Sequence, residues 1–271
     1  MVDDMDLELK DHVAIVTGGS KGIGLAVTRT LLAEGARVVA VSRTNAPDLD
    51  ELTGERLSHL GADLVETGAA DRIVAHAVDR YGTIDSLVNV AGGPPPGVEM
   101  PRTSFMDASD AEWRAMFELN LFAAVSLIRA AVPIMLRGGG GSIVNVSSTH
   151  ARQPFPNVDY AAAKAGLSNL TKALSEEYAP QGIRVNTVSP GPVRTPWWTD
   201  PDGVADILAA RFGTDRDSVM DAAIPEAMGL STGRLADPQE VADQIVLLVS
   251  PRAGSTTGAD VAVDSGMLKA T

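Results

Sequence analysis

The stretch from His12 to Gly35 restricts the fold more than any other part of the chain. His12-Val13-Ala14-Ile15-Val16 is a short apolar run, suited to a strand buried on both faces. It passes directly into Thr17-Gly18-Gly19-Ser20-Lys21-Gly22-Ile23-Gly24. Leu25 to Glu34 then reads as helix, and Gly35 ends it. Strand, glycine turn and helix in that order are the context a dinucleotide site demands. Glycines let the backbone approach a pyrophosphate, and the helix N-terminus supplies N–H groups and the positive end of its dipole. The spacing Gly18-x-x-x-Gly22-x-Gly24 departs from the common G-x-G-x-x-G, so the turn alone is also consistent with a tight connection.

Beyond Gly35 the pattern repeats. Val38 to Ser42 reads as a second strand, Leu49 to Leu57 as a short helix, and Leu57 to Leu64 as a weak third strand. Ala69 to Tyr81 is helix and Leu87 to Val90 strand. Ser109-Asp110-Ala111-Glu112 resembles a capping box and opens a long helix to about Arg137. The glycines 138–141 break it before a fifth strand, Ser142 to Val146. Asn157 to Ala179 is helix, Ile183 to Val188 strand, Pro238 to Val249 helix, and Ala259 to Val263 a last strand. Such alternation implies parallel strands, right-handed crossovers and helices on both faces. Residues 196–237 break it, with Trp197, Trp198, Met220 and Met228 among glycines and prolines. Long irregular insertions in compact domains are often lids. Plugging of the core by the tryptophans is the alternative.

Tyr160 and Lys164 carry the chemistry. Four residues apart on a helix, they lie on one face, one above the other. An ammonium beside a phenol favours phenolate and lowers its pKa towards working pH, which a general acid/base needs. A snorkelling lysine beside a half-buried tyrosine would make the same pair. Other short motifs decide between the two. They are Asn89-Val90-Ala91-Gly92 after the fourth strand, Asn120 in Glu118-Leu119-Asn120-Leu121, Ser147-Ser148 at the end of the fifth strand, and Pro190-Gly191 after the sixth.

Taken in this order, these motifs resemble the short-chain dehydrogenase/reductase superfamily, including 3-oxoacyl-[acyl-carrier-protein] reductase-like members, over about residues 9 to 266. Val90 stands where that family keeps a second Asn. The resemblance implies an α/β fold. It would be one doubly wound Rossmann-type domain over 1–271, with a parallel seven-stranded sheet, an N-terminal tail at 1–8 and a substrate lid near 196–237. It also implies an NAD(P)-dependent enzyme that moves a hydride between nicotinamide and a carbonyl or secondary alcohol. Tyr160 would pass the proton. Lys164 would lower its pKa and bond the nicotinamide ribose. Ser148 would donate to the carbonyl, and Asn120 would hold a water linking Lys164 to solvent. By residue count Ser147 fits the serine position, and by place in the pair Ser148 does. Ser148 is preferred because the strand end fixes geometry while the loop 149–159 can shorten. The expected cofactor residues are Gly18, Ser20, Lys21, Gly22, Ile23, Gly24, Arg43, Asp63, Leu64, Asn89, Ala91, Gly92, Tyr160, Lys164, Pro190, Gly191, Val193 and Thr195. His150 and Phe155 are either pocket walls or ordinary loop residues.

Strand two ends Val41-Ser42-Arg43 with no carboxylate to hold ribose hydroxyls. Arg43 can fork onto a phosphate and Lys21 adds a second cation, so NADP(H) is expected over NAD(H). The net charge of −13 argues against nucleic-acid or anionic-membrane partners. With no cysteines there are no disulfides or thiolate metal sites, and the four histidines show no ligand spacing. No metal is expected. No apolar stretch approaches membrane-spanning length, and the acidic N-terminus is unlike a signal peptide, so a cytoplasmic enzyme is expected. A 3-oxoacyl thioester is one candidate substrate. The chain's acidity disfavours docking of an acidic carrier protein and leaves a small free ketone, a sugar or a polycyclic alcohol. A regulator that binds nucleotide without catalysis is the reading from another class, and the presence of both Tyr160 and Lys164 argues against it. Helices at 109–137 and 157–179, apolar over more than one face, and an edge strand at 259–263 imply a further partner, and the family resemblance implies that it is the chain itself, in a homotetramer or failing that a dimer.

Overall fold

The structure is a computed structural model that describes residues 6–44, 47–52, 54–98, 100–102 and 104–269. Seven strands, β1 (Val13–Thr17), β2 (Arg37–Ser42), β3 (Leu57–Gly61), β4 (Ser86–Asn89), β5 (Gly141–Val146), β6 (Ile183–Pro190) and β7 (Asp260–Val263), form one sheet. Its order is β3-β2-β1-β4-β5-β6-β7, and every pairing is parallel. The helices are α1 (Gly22–Ala33), α2 (Pro47–Asp50), α3 (Ala69–Tyr81), α4 (Asp110–Phe117), α5 (Ala123–Arg137), α6 (Val158–Tyr178), α7 (Pro196–Thr199), α8 (Val204–Phe212), α9 (Arg216–Ser218), α10 (Ile224–Ala227) and α11 (Pro238–Val249).

β1 is wholly buried, as a central strand with covered faces must be. One face packs Val16, Val38 and Val144 under Val27 and Leu31 of α1 and Ile245 of α11. The other packs Ile15, Leu87 and Ile143 under Ile73 of α3 and Leu127 and Ala131 of α5.

Several elements depart from their expected bounds. The first helix begins at Gly22, inside the glycine turn rather than after it. The expected helix over 49–57 is a single turn, α2, because β3 already starts at Leu57 to pair with Val38. The Ser109/Glu112 capping box forms as expected. The long helix behind it is interrupted by a π turn at Glu118–Phe122. Within Asp110–Arg137 an 18-residue window has a mean hydropathy of 1.9, enough by length and composition alone to cross a membrane. The expectation that no stretch reaches that length therefore fails. Here the apolar residues Leu127, Ile128 and Ala131 serve to pack the run on the sheet. Of the expected tail, residues 1–5 lie outside the described residues. Leu7 packs on the core, and its carbonyl accepts from Ser250 Oγ at 2.7 Å.

Residues 196–237 form four short helices with a small core of their own. Ala205, Val219, Met220 and Leu235 are buried there with Met267, and Trp198 packs against them. Trp197 is exposed. This layer is tied to the C-terminal segment by Thr232 N–H donating to Ser265 O at 3.1 Å and by Lys269 Nζ donating to Gly229 O at 2.8 Å.

Candidate active site

The strand order reverses between β1 and β4. Beyond the carboxyl ends of strands at such a switch point an open parallel sheet leaves a crevice for ligands. Two constructions meet there, one of backbone and one of side chains.

The backbone part is a glycine cradle. Gly18 and Gly22 have φ of +66° and +53°, values open to glycine and strained for other residues. A Cβ on Gly24 would lie 2.1 Å from Gly18 O, and one on Gly18 3.2 Å from Ala91 Cα and N. Thr17 Oγ1 accepts from Val90 N–H and Ala91 N–H at 3.0 and 3.1 Å, joining the turn after β1 to the loop after β4. α1 starts beneath this loop with no side-chain cap from Lys21, so its first N–H groups are left for a ligand. These features fit a dinucleotide pyrophosphate.

Most of the remaining expected cofactor residues stand at or just beyond the carboxyl ends of β1, β2, β3, β4 and β6. Ser20 is buried and Ile23 half-buried. Lys21 and Arg43 are exposed at its rim. Asp63 Oδ1 accepts from Val65 N–H at 3.2 Å, and Leu64 packs on the core. Gly191 lies so close to Asp264 that a Cβ would meet its Cα at 2.9 Å. Pro190 ends β6 in register with Val263, and Val193 bridges Ala236. Thr195 Cγ2 is the atom a Cβ on Gly22 would meet, at 3.2 Å. Asn89 differs from the rest. Its side chain turns into the sheet and donates to Asn145 Oδ1 at 2.8 Å, while its own Oδ1 is buried without a partner among the described residues.

The side-chain part is built on α6. Lys164 is almost fully buried and donates to Val146 O at 2.8 Å. The two serines separate cleanly. Ser147 Oγ donates to Lys164 O at 3.0 Å and accepts from Ser168 Oγ at 2.8 Å, so it pins α6 to β5. Ser148 Oγ accepts from His150 N–H at 3.1 Å and faces the Tyr160 phenol, whose pKa it acts to lower. The His150 ring stacks on Phe155, centroids 3.6 Å apart, and meets Tyr160 edge-on at 6.2 Å. His150 thus stands against Tyr160, with Phe155 stacked on it. The π turn at Glu118–Phe122 carries Asn120, a common use of such bulges. Asn120 Oδ1 accepts from Gly93 N–H at 2.8 Å, and Nδ2 donates to Gly93 O at 2.9 Å and Met116 O at 3.0 Å. The amide holds the loop after β4 over the lysine. A Cβ on Gly92 would come 2.9 Å from Lys164 Nζ.

Burial governs the titration of this corner. Tyr160 is only partly exposed, and burial pushes its phenol up to about 12, the Ser148 hydroxyl opposing the rise. Burial pushes Lys164 down to about 8. This reverses the expected direction for Tyr160. The ammonium sits 5.8 Å from the ring centroid and is drawn to Val146 O, so desolvation outweighs charge attraction. Burial likewise pushes His150 down to about 4, leaving it neutral near pH 7. Tyr160 is therefore a protonated phenol at neutral pH, beside a lysine that is largely cationic.

One group at the site escaped sequence reasoning. Arg102, buried, bonds Asp159 at 2.7 Å. Only the acidic residue directly before Tyr160 hints at it, because the partner is 57 residues away. Among the described residues no cluster of His, Asp or Glu could hold a metal ion.

Comparison with known proteins agrees with this geometry. The family model for short chain dehydrogenases matches residues 12–202. The short-chain reductase protein NovJ of Streptomyces niveus is 36% identical over 262 residues, covering 95% of this chain and 94% of its own. L-xylulose reductase of Bos taurus is 36% identical over 273 residues, covering 97% and 99%. The crystal structure of L-sorbose reductase from Gluconobacter frateurii, complexed with NADPH and L-sorbose, superposes with a TM-score of 0.89. It has 34% identity and covers 98% of this chain and 100% of that one.

Proposed function

The chain belongs to the short-chain dehydrogenase family, NAD(P)-dependent oxidoreductases acting between CH–OH and C=O, and we propose that it reduces a small polyhydroxylated ketone at the expense of NADPH. The observation that carries this reading is the buried Lys164, one turn after Tyr160 on α6 and packed against Gly92 of the loop that closes on the glycine cradle.

A bound nicotinamide supplies the hydride, and this chain's residues handle the oxygen and the proton. The Ser148 hydroxyl is placed to donate to the carbonyl oxygen as negative charge builds there. Tyr160, protonated at neutral pH, delivers the proton. Lys164 holds positive charge beside the phenol and is the candidate to hold the nicotinamide ribose. Asn120 keeps the loop over Lys164 in place and is the candidate to order a water beside it. His150 and Phe155 stiffen the wall facing the substrate.

Arg43 and Lys21 are exposed at the cradle rim, and strand β2 ends without a carboxylate. Both features favour a 2′-phosphate over bare ribose hydroxyls. The ketose names of two relatives and a net charge of −13 support a small free ketone over a 3-oxoacyl group on an acidic carrier. The same surface supports a homotetramer, with a dimer as the fallback. Phe105, Met106 and Phe122 are exposed beside α4 and α5, and β7 is a sheet edge. A cytoplasmic setting is consistent with the absence of cysteine.

The test is a panel of ketoses, vicinal diketones and 3-oxoacyl thioesters, with NADPH consumption followed by absorbance. Turnover on ketoses above the thioester supports the reading, and turnover on the thioester alone refutes it. Light scattering after size exclusion checks assembly, which a particle near 28.2 kDa would exclude.

A further inference from the structure

We propose that Arg102 is a positioning residue for Tyr160, acting through a buried ionic brace on the first turn of α6; the proposal rests on the reading of Tyr160 as proton donor. The helix that carries Tyr160 lacks the usual cap. Asn157 stands at its N-cap without a side-chain bond to the helix. Its Oδ1 instead accepts from Arg102 N–H at 2.8 Å. The first turn is held by Asp159. One of its oxygens accepts from the N–H of Tyr160 itself at 2.9 Å. The other takes the Arg102 guanidinium at 2.7 Å. The Asp159 and Arg102 side chains are 1% and 5% exposed.

Tyr160 and Lys164 are thus anchored to different parts of the molecule. Lys164 is fastened to β5 through Val146 O and Ser147. One turn earlier, Tyr160 is fastened to the loop before α4 through Asp159 and Arg102. The height of the phenol over the lysine therefore depends on this brace. Arg102 also reaches Glu112 of α4 at 3.5 Å, but that carboxylate is 29% exposed and serves the Ser109 cap. Among the described residues Asp159 pairs with no cation other than Arg102. Without the guanidinium its buried charge is uncompensated, and it must take up a proton or move. Either change disturbs the oxygen that holds the Tyr160 N–H. A displacement on the order of 1 Å at a reacting group can cost about a hundredfold in rate.

The experiment uses the full chain with NADPH and a vicinal diketone, and measures kcat, KM and NADPH affinity for four variants. For Arg102→Met, kcat should fall roughly 10- to 100-fold while KM and NADPH affinity stay within about twofold. The double variant Arg102→Met with Asp159→Asn removes both charges and keeps an oxygen for Tyr160 N–H, so it should regain part of the lost kcat. Arg102→Lys keeps the charge and should fall between parent and Met variant; it decides the matter if the Met variant does not fold. A purely structural role would lower the melting temperature and leave kcat of the folded protein unchanged, and that result overturns the proposal. So does a double variant no faster than Arg102→Met. Tyr160→Phe separates the two readings. If it keeps turnover, the proton-donor assignment falls and the brace with it; if it is inert while Arg102→Met has parental kcat, the brace alone falls.

Discussion

The glycine cradle and the Tyr160–Lys164 corner meet at the loop after β4, where Ala91 lies against Gly18 and Gly92 against Lys164, and are made of different materials. The cradle is backbone. Its geometry needs side chains to be absent, as the 2.1 Å approach of a Gly24 Cβ to Gly18 O shows. The corner is a set of buried polar side chains, Lys164, Ser147, Asn120 and Asp159, each needing a partner from elsewhere in the chain. A backbone site tolerates no added atom. A side-chain site tolerates no lost partner. The two should therefore fail in different ways when altered.

The largest failure is expected in the cradle. Gly24→Ala places a methyl against a backbone oxygen that cannot give way, so NADPH titration followed by fluorescence should show no saturation. Circular dichroism checks that the fold survives. Saturable binding by this variant would break the contrast. Next comes the serine pair. Ser148→Ala should lower kcat by about 10²–10³, the size of a lost donor to a developing oxyanion. Ser147→Ala removes a bond to Lys164 O and should cost far less in kcat, showing mainly as a lower melting temperature. The reverse order would assign the donor to Ser147.

That distinction was only half legible in the residues. Residue counting and strand-end position gave different answers for Ser147 and Ser148, and Ser168, which engages Ser147, carries no motif. The cradle was more legible because glycine spacing reports backbone conformation directly. Alternation and apolar runs likewise indicated all seven strands, with shifts at the ends that are largest in β3 and β6, where pairing to neighbours sets the limits. The one-turn α2 and the π turn at Asn120 were invisible, since both are set by tertiary register. The Arg102–Asp159 brace was invisible because it joins residues 57 apart with no periodicity. The direction of the Tyr160 shift was misjudged because the four-residue spacing shows a nearby ammonium but not how deeply both groups are buried.

A smaller effect, about tenfold, is expected from pH. Burial lowers the lysine, so its ammonium is present below about 8 and lost above it. Tyr160 keeps its proton until about 12. The reduction rate should therefore be level near pH 7 and decline as pH rises through about 8. A rate still level at pH about 10 would show that Lys164 charge is not needed. The smallest effect belongs to the exposed rim. Arg43→Ala should weaken NADPH by less than about 1 kcal/mol, because the side chain is exposed and solvent screens the contact, and leave NADH unchanged. Equal affinities for the two cofactors in the parent would remove the basis for an NADPH preference.

The central claim is that the corner performs the proton transfer and the cradle does the binding. Tyr160→Phe tests it most directly, with NADPH affinity and ketone turnover measured on the same preparation. The account predicts NADPH affinity within about twofold of the parent and turnover lower by roughly 10²–10⁴, the contribution of a positioned general acid. Turnover near the parental rate with NADPH still bound would contradict it.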